Sequence, residues 1–264
     1  MFLIAMESVV VDKDNWDQDY RNSFDVVFTW DANLPDNRNC KPRLERFYWP
    51  NKINDYSNYP GFEDRKKLCV MVAGNKWKPH PNELYSERVR AIKWFSRNHP
   101  EDFDLYGPDW ELGPVKKMRR IMQNGVRYLS GKPLRFFSWG RLPCYRGHVA
   151  SKKDLFKNYR FCLCYENAKD IPGYITEKIF DCFLGGVVPV YLGWSGISSL
   201  VPKETFIDRR HFSDYREIYS FLKNIGPEDY NRYLLEAEGF LKSDRAVKFD
   251  GWSFVETVLR GIGD

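Results

Sequence analysis

Residues 159–194 read YRFCLCYENAKDIPGYITEKIFDCFLGGVVPVYLGW, and no other stretch narrows the choice of fold as far. The apolar run from Phe161 to Tyr165 predicts a buried strand. A polar loop follows from Glu166 to Ile175 and contains Pro172 and Gly173. Thr176 then reads as a helix N-cap whose hydroxyl accepts a backbone N–H. Ile179, Phe180, Phe183 and Leu184 fall on one face of a 3.6-residue period, and Gly185-Gly186 stops the helix. Val187 to Leu192 reads as a second buried strand, with Pro189 marking a strand end or a bulge. Strand, loop, helix and strand make one βαβ unit. Its loop lies at a strand's carboxyl end opposite a helix N-terminus, the place where such units bind nucleotides.

The rest of the chain repeats the alternation. Strands are expected at Phe2 to Met6, Phe24 to Trp30, Arg43 to Trp49, Lys67 to Ala73, Phe103 to Gly107 and Thr205 to Asp208. Helical patterns cover Asn15 to Asn22, Asn82 to Asn98, Ser151 to Tyr159, Asp214 to Ile225, Pro227 to Lys242 and the tail around Trp252, Phe254, Val255, Val258 and Leu259. This order predicts parallel α/β lobes. Asn51 to Asp64 is rich in Asn, Tyr, Pro and Gly and reads as a linker, which places a lobe boundary near Arg65.

Composition excludes some classes. Hydrophobic residues make up 43% and aromatic ones 17% of the 264 positions, enough for a real core and too many for a disordered chain. The net charge of +5 suits a partner that carries phosphates and is too small to argue for nucleic acid. The basic cluster Lys116, Lys117, Arg119 and Arg120 reads as a solvated helix face. Six cysteines form no CxxC, and four lie in apolar runs or a helix, so buried free thiols are expected. No membrane-spanning run or signal peptide is visible, and a complete chain of this kind would be cytoplasmic.

The stretch YENAKDIPGYITEKIFDCFLGGVVPVYLG closely resembles the signature of the α-1,3/4-fucosyltransferases: FEN, then Y(V/I)TEK, then G-x-(V/I)-P-(V/I), with one or two extra residues in the polar loop. The resemblance implies an α/β fold with two Rossmann-like lobes of the glycosyltransferase B type. Family members carry more chain before an early Glu-Ser dipeptide, so the N-terminal lobe here reads either as reduced or as part of a longer protein. The implied division is an acceptor-side lobe at 1–65, a GDP-fucose-binding lobe at 66–245 and a helix at 246–264 that returns to the first lobe. The implied reaction moves L-fucose from GDP-fucose to a hydroxyl of N-acetylglucosamine or glucose in a glycan, with inversion and α-1,3 linkage.

That chemistry needs a base for the acceptor hydroxyl, cations for the departing diphosphate and a grip on the nucleotide. The family resemblance assigns the base to Glu7, in Met6-Glu7-Ser8-Val9, where the Pro of the family's E-S-P is replaced by Val. Taken alone, a Glu after an apolar strand is a solvated strand end. Lys178 is the strongest candidate for the diphosphate cation. It stands in a helix's first turn, where the macrodipole disfavours a cation unless an anion is nearby. Glu177 is assigned to sugar hydroxyls, while Asn167 and Tyr174 line the nucleotide pocket. The resemblance implies a second cation, an Arg on the helix after the second lobe's first strand; Arg88 is favoured, with Arg90 as fallback, and a guanidinium fork suits phosphate geometry. Tyr145-Arg146-Gly147 and Lys152-Lys153 resemble a further basic segment of the family.

No metal or other cofactor is expected. Asp12-Lys13-Asp14, Asp17-Gln18-Asp19 and Asp102-Phe103-Asp104 spell the D-x-D of metal-dependent glycosyltransferases, but with 36 acidic residues such triplets arise by chance, and all three read as surface. GDP-fucose and a glycan acceptor are the expected partners, with no nucleic acid and no membrane segment. Two alternatives stay open: a GDP-sugar-binding module, and a transferase of another nucleotide sugar that needs a partner lobe.

Overall fold

The computed structural model describes residues 1–34, 42–53, 59–110 and 142–263. The Lys116–Arg120 cluster, Cys40 and most of the aromatic stretch before Tyr145 lie outside them. The strands are β1 (Phe2–Ala5), β2 (Val26–Thr29), β3 (Arg43–Arg46), β4 (Lys67–Val72), β5 (Phe103–Tyr106), β6 (Tyr159–Tyr165), β7 (Val188–Leu192) and β8 (Ile207–Asp208). The helices are α1 (Gln18–Asn22), α2 (Tyr85–Asn98), α3 (Lys152–Phe156), α4 (Glu177–Leu184), α5 (Tyr215–Asn224), α6 (Pro227–Leu241), α7 (Asp244–Val247) and α8 (Gly251–Gly263).

Two parallel sheets result. The first has the order β1-β2-β3 and the second β5-β4-β6-β7-β8. Parallel sheets are covered on both faces, which is why these strands read as unbroken apolar runs. Residues alternate between the two faces of the second sheet. Cys69, Met71, Phe161 and Leu163 meet Ala91, Ile92 and Phe95 of α2 and Ile218 and Leu222 of α5. Val70, Cys162, Cys164 and Tyr191 meet Ile179, Phe180, Cys182 and Phe183 of α4 and Phe240 and Leu241 of α6. Burying one such aromatic or aliphatic side chain contributes about 1.5–3 kcal/mol. Cys69, Cys144, Cys162, Cys164 and Cys182 are buried free thiols.

Because α2 covers one face and α4 the other, the chain leaves neighbouring strands β4 and β6 in opposite directions. A crevice opens at such a switch point, outside the carboxyl ends of the strands.

Three local readings change. Pro189 neither ends nor bulges β7: it pairs in register with Cys162, and β8 reaches only Val190 and Tyr191, so one side of β7 is unpaired where the proline lacks its N–H. Thr176 stands at the N-cap of α4, but its side chain makes no cap hydrogen bond. Arg65, at the expected end of the linker, is 1% exposed and acts as a pin. It donates to the carbonyls of Phe156 (2.9 Å), Tyr159 (2.7 Å), Pro60 (3.2 Å) and Gly186.

The last helix packs on the first sheet. The ring of Phe254 meets that of Phe47 at 5.1 Å, and Arg43 donates to the Gly261 carbonyl. Gly261 permits this approach, since a Cβ there would lie 2.7 Å from the Phe28 ring. The opposite face of α8 leaves Trp252, Leu259 and Ile262 exposed.

Candidate active site

Both sheets are parallel, so each presents the carboxyl ends of its strands on one side, and those ends face each other. The loop from Glu166 to Thr176 crosses between them. At its start it is laced to α2: the Leu84 amide donates to the Asn167 carbonyl (3.0 Å) and the Lys169 amide to that of Asn82 (2.8 Å). Further on it leans on the first sheet. Tyr174 packs its ring 5.0 Å from Trp30 and 6.3 Å from Trp49. Gly173, at φ +80°, comes so near Trp30 that a Cβ would lie 3.2 Å from its carbonyl oxygen.

At the second-sheet end stands Lys178, with a side chain 22% exposed. Its ammonium donates to Thr176 Oγ1 (2.8 Å) and Glu166 Oε2 (3.2 Å), and Glu177 Oε1 lies 3.6 Å away. Burial alone lowers the Lys178 pKa, but Glu166 and Glu177 outweigh it and the net direction is upward. For Glu177, burial pushes upward and the charges of Lys178 and Lys152 prevail, leaving its pKa low. Glu166 itself is fully buried and also accepts from the Thr176 amide (2.9 Å) and hydroxyl (2.7 Å). The sequence does not pick Glu166 out as a candidate. A Glu that directly ends a five-residue apolar run, ahead of T-E-K, was the available signal.

Arg88 points inward from α2, 5% exposed, and donates to the Tyr165 carbonyl (2.6 Å) and Asn167 Oδ1 (3.1 Å). Burial lowers its pKa. Arg90, the fallback, points elsewhere: its side chain is 71% exposed and pairs with Glu87. Residues two apart on a helix face different ways, at two steps of 100°, and of the two arginines it is Arg88 that reaches Asn167.

From Asn167 the hydrogen bonds continue to the first lobe. Asn167 Nδ2 donates to the Tyr174 hydroxyl (3.3 Å), and that hydroxyl donates to Glu7 Oε2 (2.8 Å). Tyr174 is buried, and burial together with Glu166 and Glu7 pushes its pKa up, so it stays a donor. Glu7 follows β1 and is half-buried. Its backbone carbonyl accepts from Trp16 Nε1 (2.9 Å), and that of Met6 accepts from Trp30 Nε1 (2.7 Å). Glu7, Tyr174, Asn167 and Arg88 thus form one relay across the crevice, with Lys178 and Glu177 beside it.

A cavity of about 20 Å³ lies between Arg88, Lys152, Lys178 and Asp181, room for one water molecule. A wider one of about 410 Å³ adjoins the carboxyl ends of β6 to β8, lined by Glu83, Glu87, Arg90, Lys169, Arg209 and Arg210 among others. A cavity of about 930 Å³ along α5 and α6 holds none of the candidate residues.

The further basic segment is engaged locally: Arg146 pairs with Asp104 (2.6 Å) and Lys152 with Asp181 (2.7 Å). Of the D-x-D triplets, Asp104 is not at the surface. It is 4% exposed and held by Lys67, Tyr159 and Arg146. Asp102 accepts from Tyr219 (2.7 Å) and Lys223 (3.0 Å), and Asp17 caps α1.

Residues 123–238 match the family model described as glycosyltransferase family 10 (fucosyltransferase) C-term. The chain is similar to an α-(1,4)-fucosyltransferase of Arabidopsis thaliana, 35% identical over 78 residues, which cover 29% of this chain and 19% of that protein. It is also similar to α-(1,3)-fucosyltransferase C of Drosophila melanogaster, 30% identical over 153 residues, covering 57% of this chain and 32% of that one. Among solved structures, an α1,3-fucosyltransferase with GDP superposes with a TM-score of 0.54 at 15% identity, covering 100% of this chain and 74% of that one. The fold is that of the glycosyltransferase B type.

One expectation is corrected by these likenesses. A cytoplasmic location rested on the chain being complete, yet the chain spans a fifth to a third of those curated relatives, 19% and 32%. The related fucosyltransferases are mostly Golgi or secretory enzymes. Among the described residues no helix is long and apolar enough to cross a membrane.

Proposed function

We propose that the chain is a fucosyltransferase of glycosyltransferase family 10, whose C-terminal model matches residues 123–238, and that it transfers L-fucose from GDP-fucose to a hydroxyl of N-acetylglucosamine or glucose in a glycan. Transfer inverts the fucose carbon, with α-1,3 as the linkage. The acceptor O–H bond breaks and its proton goes to Glu7. The acceptor oxygen forms the new bond to the fucose carbon, and the bond from that carbon to the diphosphate breaks, its electron pair leaving with GDP. Lys178 and Arg88 face the charge that grows on the diphosphate, where fixed cations lower the barrier most. They do this without a metal ion. Glu177 holds sugar hydroxyls, and Asn167 and Tyr174 line the nucleotide side. Residues 1–65 form the acceptor-side lobe, 66–245 the donor lobe, and 246–264 the helix that ties the second to the first.

The observation that carries this reading is the meeting of a carboxylate from one lobe with two inward cations from the other, joined by the relay from Glu7 to Arg88. Product analysis with GDP-fucose and a panel of disaccharides tests it. A fucosylated N-acetyllactosamine or lactose is the expected product. GDP binding without transfer to any acceptor would point to a donor-binding module, and transfer from another nucleotide sugar alone would replace the donor.

A further inference from the structure

Glu166 stands outside every role assigned so far, although it is the most enclosed acid near the crevice, 0% exposed. A carboxylate removed from water is costly unless donors surround it. Here the donors are the Thr176 amide (2.9 Å), the Thr176 hydroxyl (2.7 Å) and the Lys178 ammonium (3.2 Å). The backbone leaves Glu166 no freedom to turn away. Its amide donates to the Leu192 carbonyl (2.8 Å), tying it to the end of β7. On the other side stands Gly193, where a Cβ would lie 2.8 Å from Glu166 Cγ and 2.3 Å from the Tyr191 hydroxyl oxygen.

We propose that Glu166 is the positioning residue of the donor site, fixing the Lys178 ammonium toward the diphosphate without touching the substrate itself. The proposal rests on the fucosyl-transfer reading for what Lys178 does. The directions of the hydrogens support it. Thr176 has one O–H, and it is spent on Glu166, so the hydroxyl oxygen turns its lone pairs to Lys178, 2.8 Å away. An ammonium has three N–H donors. Glu166 and Thr176 take two, and Glu177 at 3.6 Å is beyond a good hydrogen bond, so the third is left for a ligand. A lysine otherwise gives up the rotamer freedom of a four-carbon stem when it grips a ligand. Held by Glu166 and Thr176, Lys178 has given it up before the donor arrives. Arg88 and Tyr85 of α2, and Glu177 and Asp181 of its own helix, also face Lys178. Of the acids among them, Glu166 alone accepts a hydrogen bond from it.

The test is Glu166→Gln, followed by kcat and KM for GDP-fucose and by NMR titration of the Lys178 ammonium. The amide can still accept from the Thr176 N–H, so the loop keeps its anchor, but its NH2 group turns a donor toward Lys178. We expect kcat to fall about 100-fold, the cost of misplacing a reacting or stabilising group by about 1 Å. The Lys178 titration should move downward, because the nearer of the two carboxylates that raise it is gone. In a Lys178→Met background the same substitution should change kcat no further. Thr176→Val removes the hydroxyl relay and keeps the acid, so it serves where Glu166→Gln does not fold, with a kcat loss in the same direction. Unchanged kcat and an unmoved Lys178 titration in Glu166→Gln, or an unchanged kcat in Thr176→Val, would overturn the proposal. Absence of transfer by the wild-type protein would sink the functional reading alone, because the titration needs no substrate.

Discussion

The two ends of the crevice are built in different ways. At the donor end, Lys178, Thr176 and Glu166 lie within thirteen residues of chain, on one βαβ unit, and hold each other by hydrogen bonds of 2.7–3.2 Å. At the acceptor end, Glu7 follows a four-residue strand of a three-stranded sheet, and its link to the other lobe is the Tyr174 hydroxyl, 167 residues away. The donor end is therefore set by local sequence and a large core. The acceptor end depends on how one lobe docks against the other. Damage to the first should appear as lost donor binding, and damage to the second as lost turnover with the donor still bound.

The substitution expected to separate them furthest is Glu7→Gln. Losing the base should lower kcat by about 10²–10⁴-fold and leave GDP affinity unchanged. Lys178→Ala should come next, with a loss of about 10²–10³-fold in kcat/KM, or about 2.7–4 kcal/mol, and weakened GDP binding seen by calorimetry. Tyr174→Phe cuts the hydrogen bond that, among the described residues, joins Glu7 to the other end. It should lower kcat about tenfold, at about 1.4 kcal/mol for a hydrogen bond to a charged group, while the KM for GDP-fucose holds. A rise in the KM for GDP-fucose with kcat intact would show that the Tyr174 hydroxyl serves the donor instead.

The smallest effect is on stability and concerns neither end. Asp104 is a buried residue of the edge strand β5. Burial would raise its pKa, but the hydrogen bonds from Lys67 and Tyr159 outweigh that and the net direction is down. A carboxyl whose folded pKa lies below the unfolded value, about 3.9, stabilises the protein above that pH. The contribution disappears as pH falls through that value toward the folded pKa. Asp104→Asn should therefore lower the Tm at pH 7 and flatten the loss of stability as pH falls below about 4, which acid-dependent thermal melts would show.

The fold was legible where side-chain period and burial coincide. The runs at Lys67–Val72 and Tyr159–Tyr165 are apolar because both faces are covered, so the strands stood out. The candidate residues of the donor end were legible because a resemblance carries them as one short stretch. What the sequence did not yield depends on contacts between distant segments. Thr176 has the chemistry of a cap, and only the fold brings Glu166 ten residues back to take its hydroxyl. Arg65 looks like the end of a linker until Phe156, Tyr159 and Gly186 turn their carbonyls to it. Choosing Arg88 over Arg90 needs the direction in which α2 turns each of them, which the spacing of its apolar residues leaves open.

The central claim is that Lys178 neutralises the departing diphosphate while Glu7 acts only on the acceptor. Calorimetric titration of GDP into the Glu7→Gln and Lys178→Ala proteins tests it most directly. Wild-type affinity in the first and a large loss in the second are predicted. Wild-type affinity in Lys178→Ala would contradict the account.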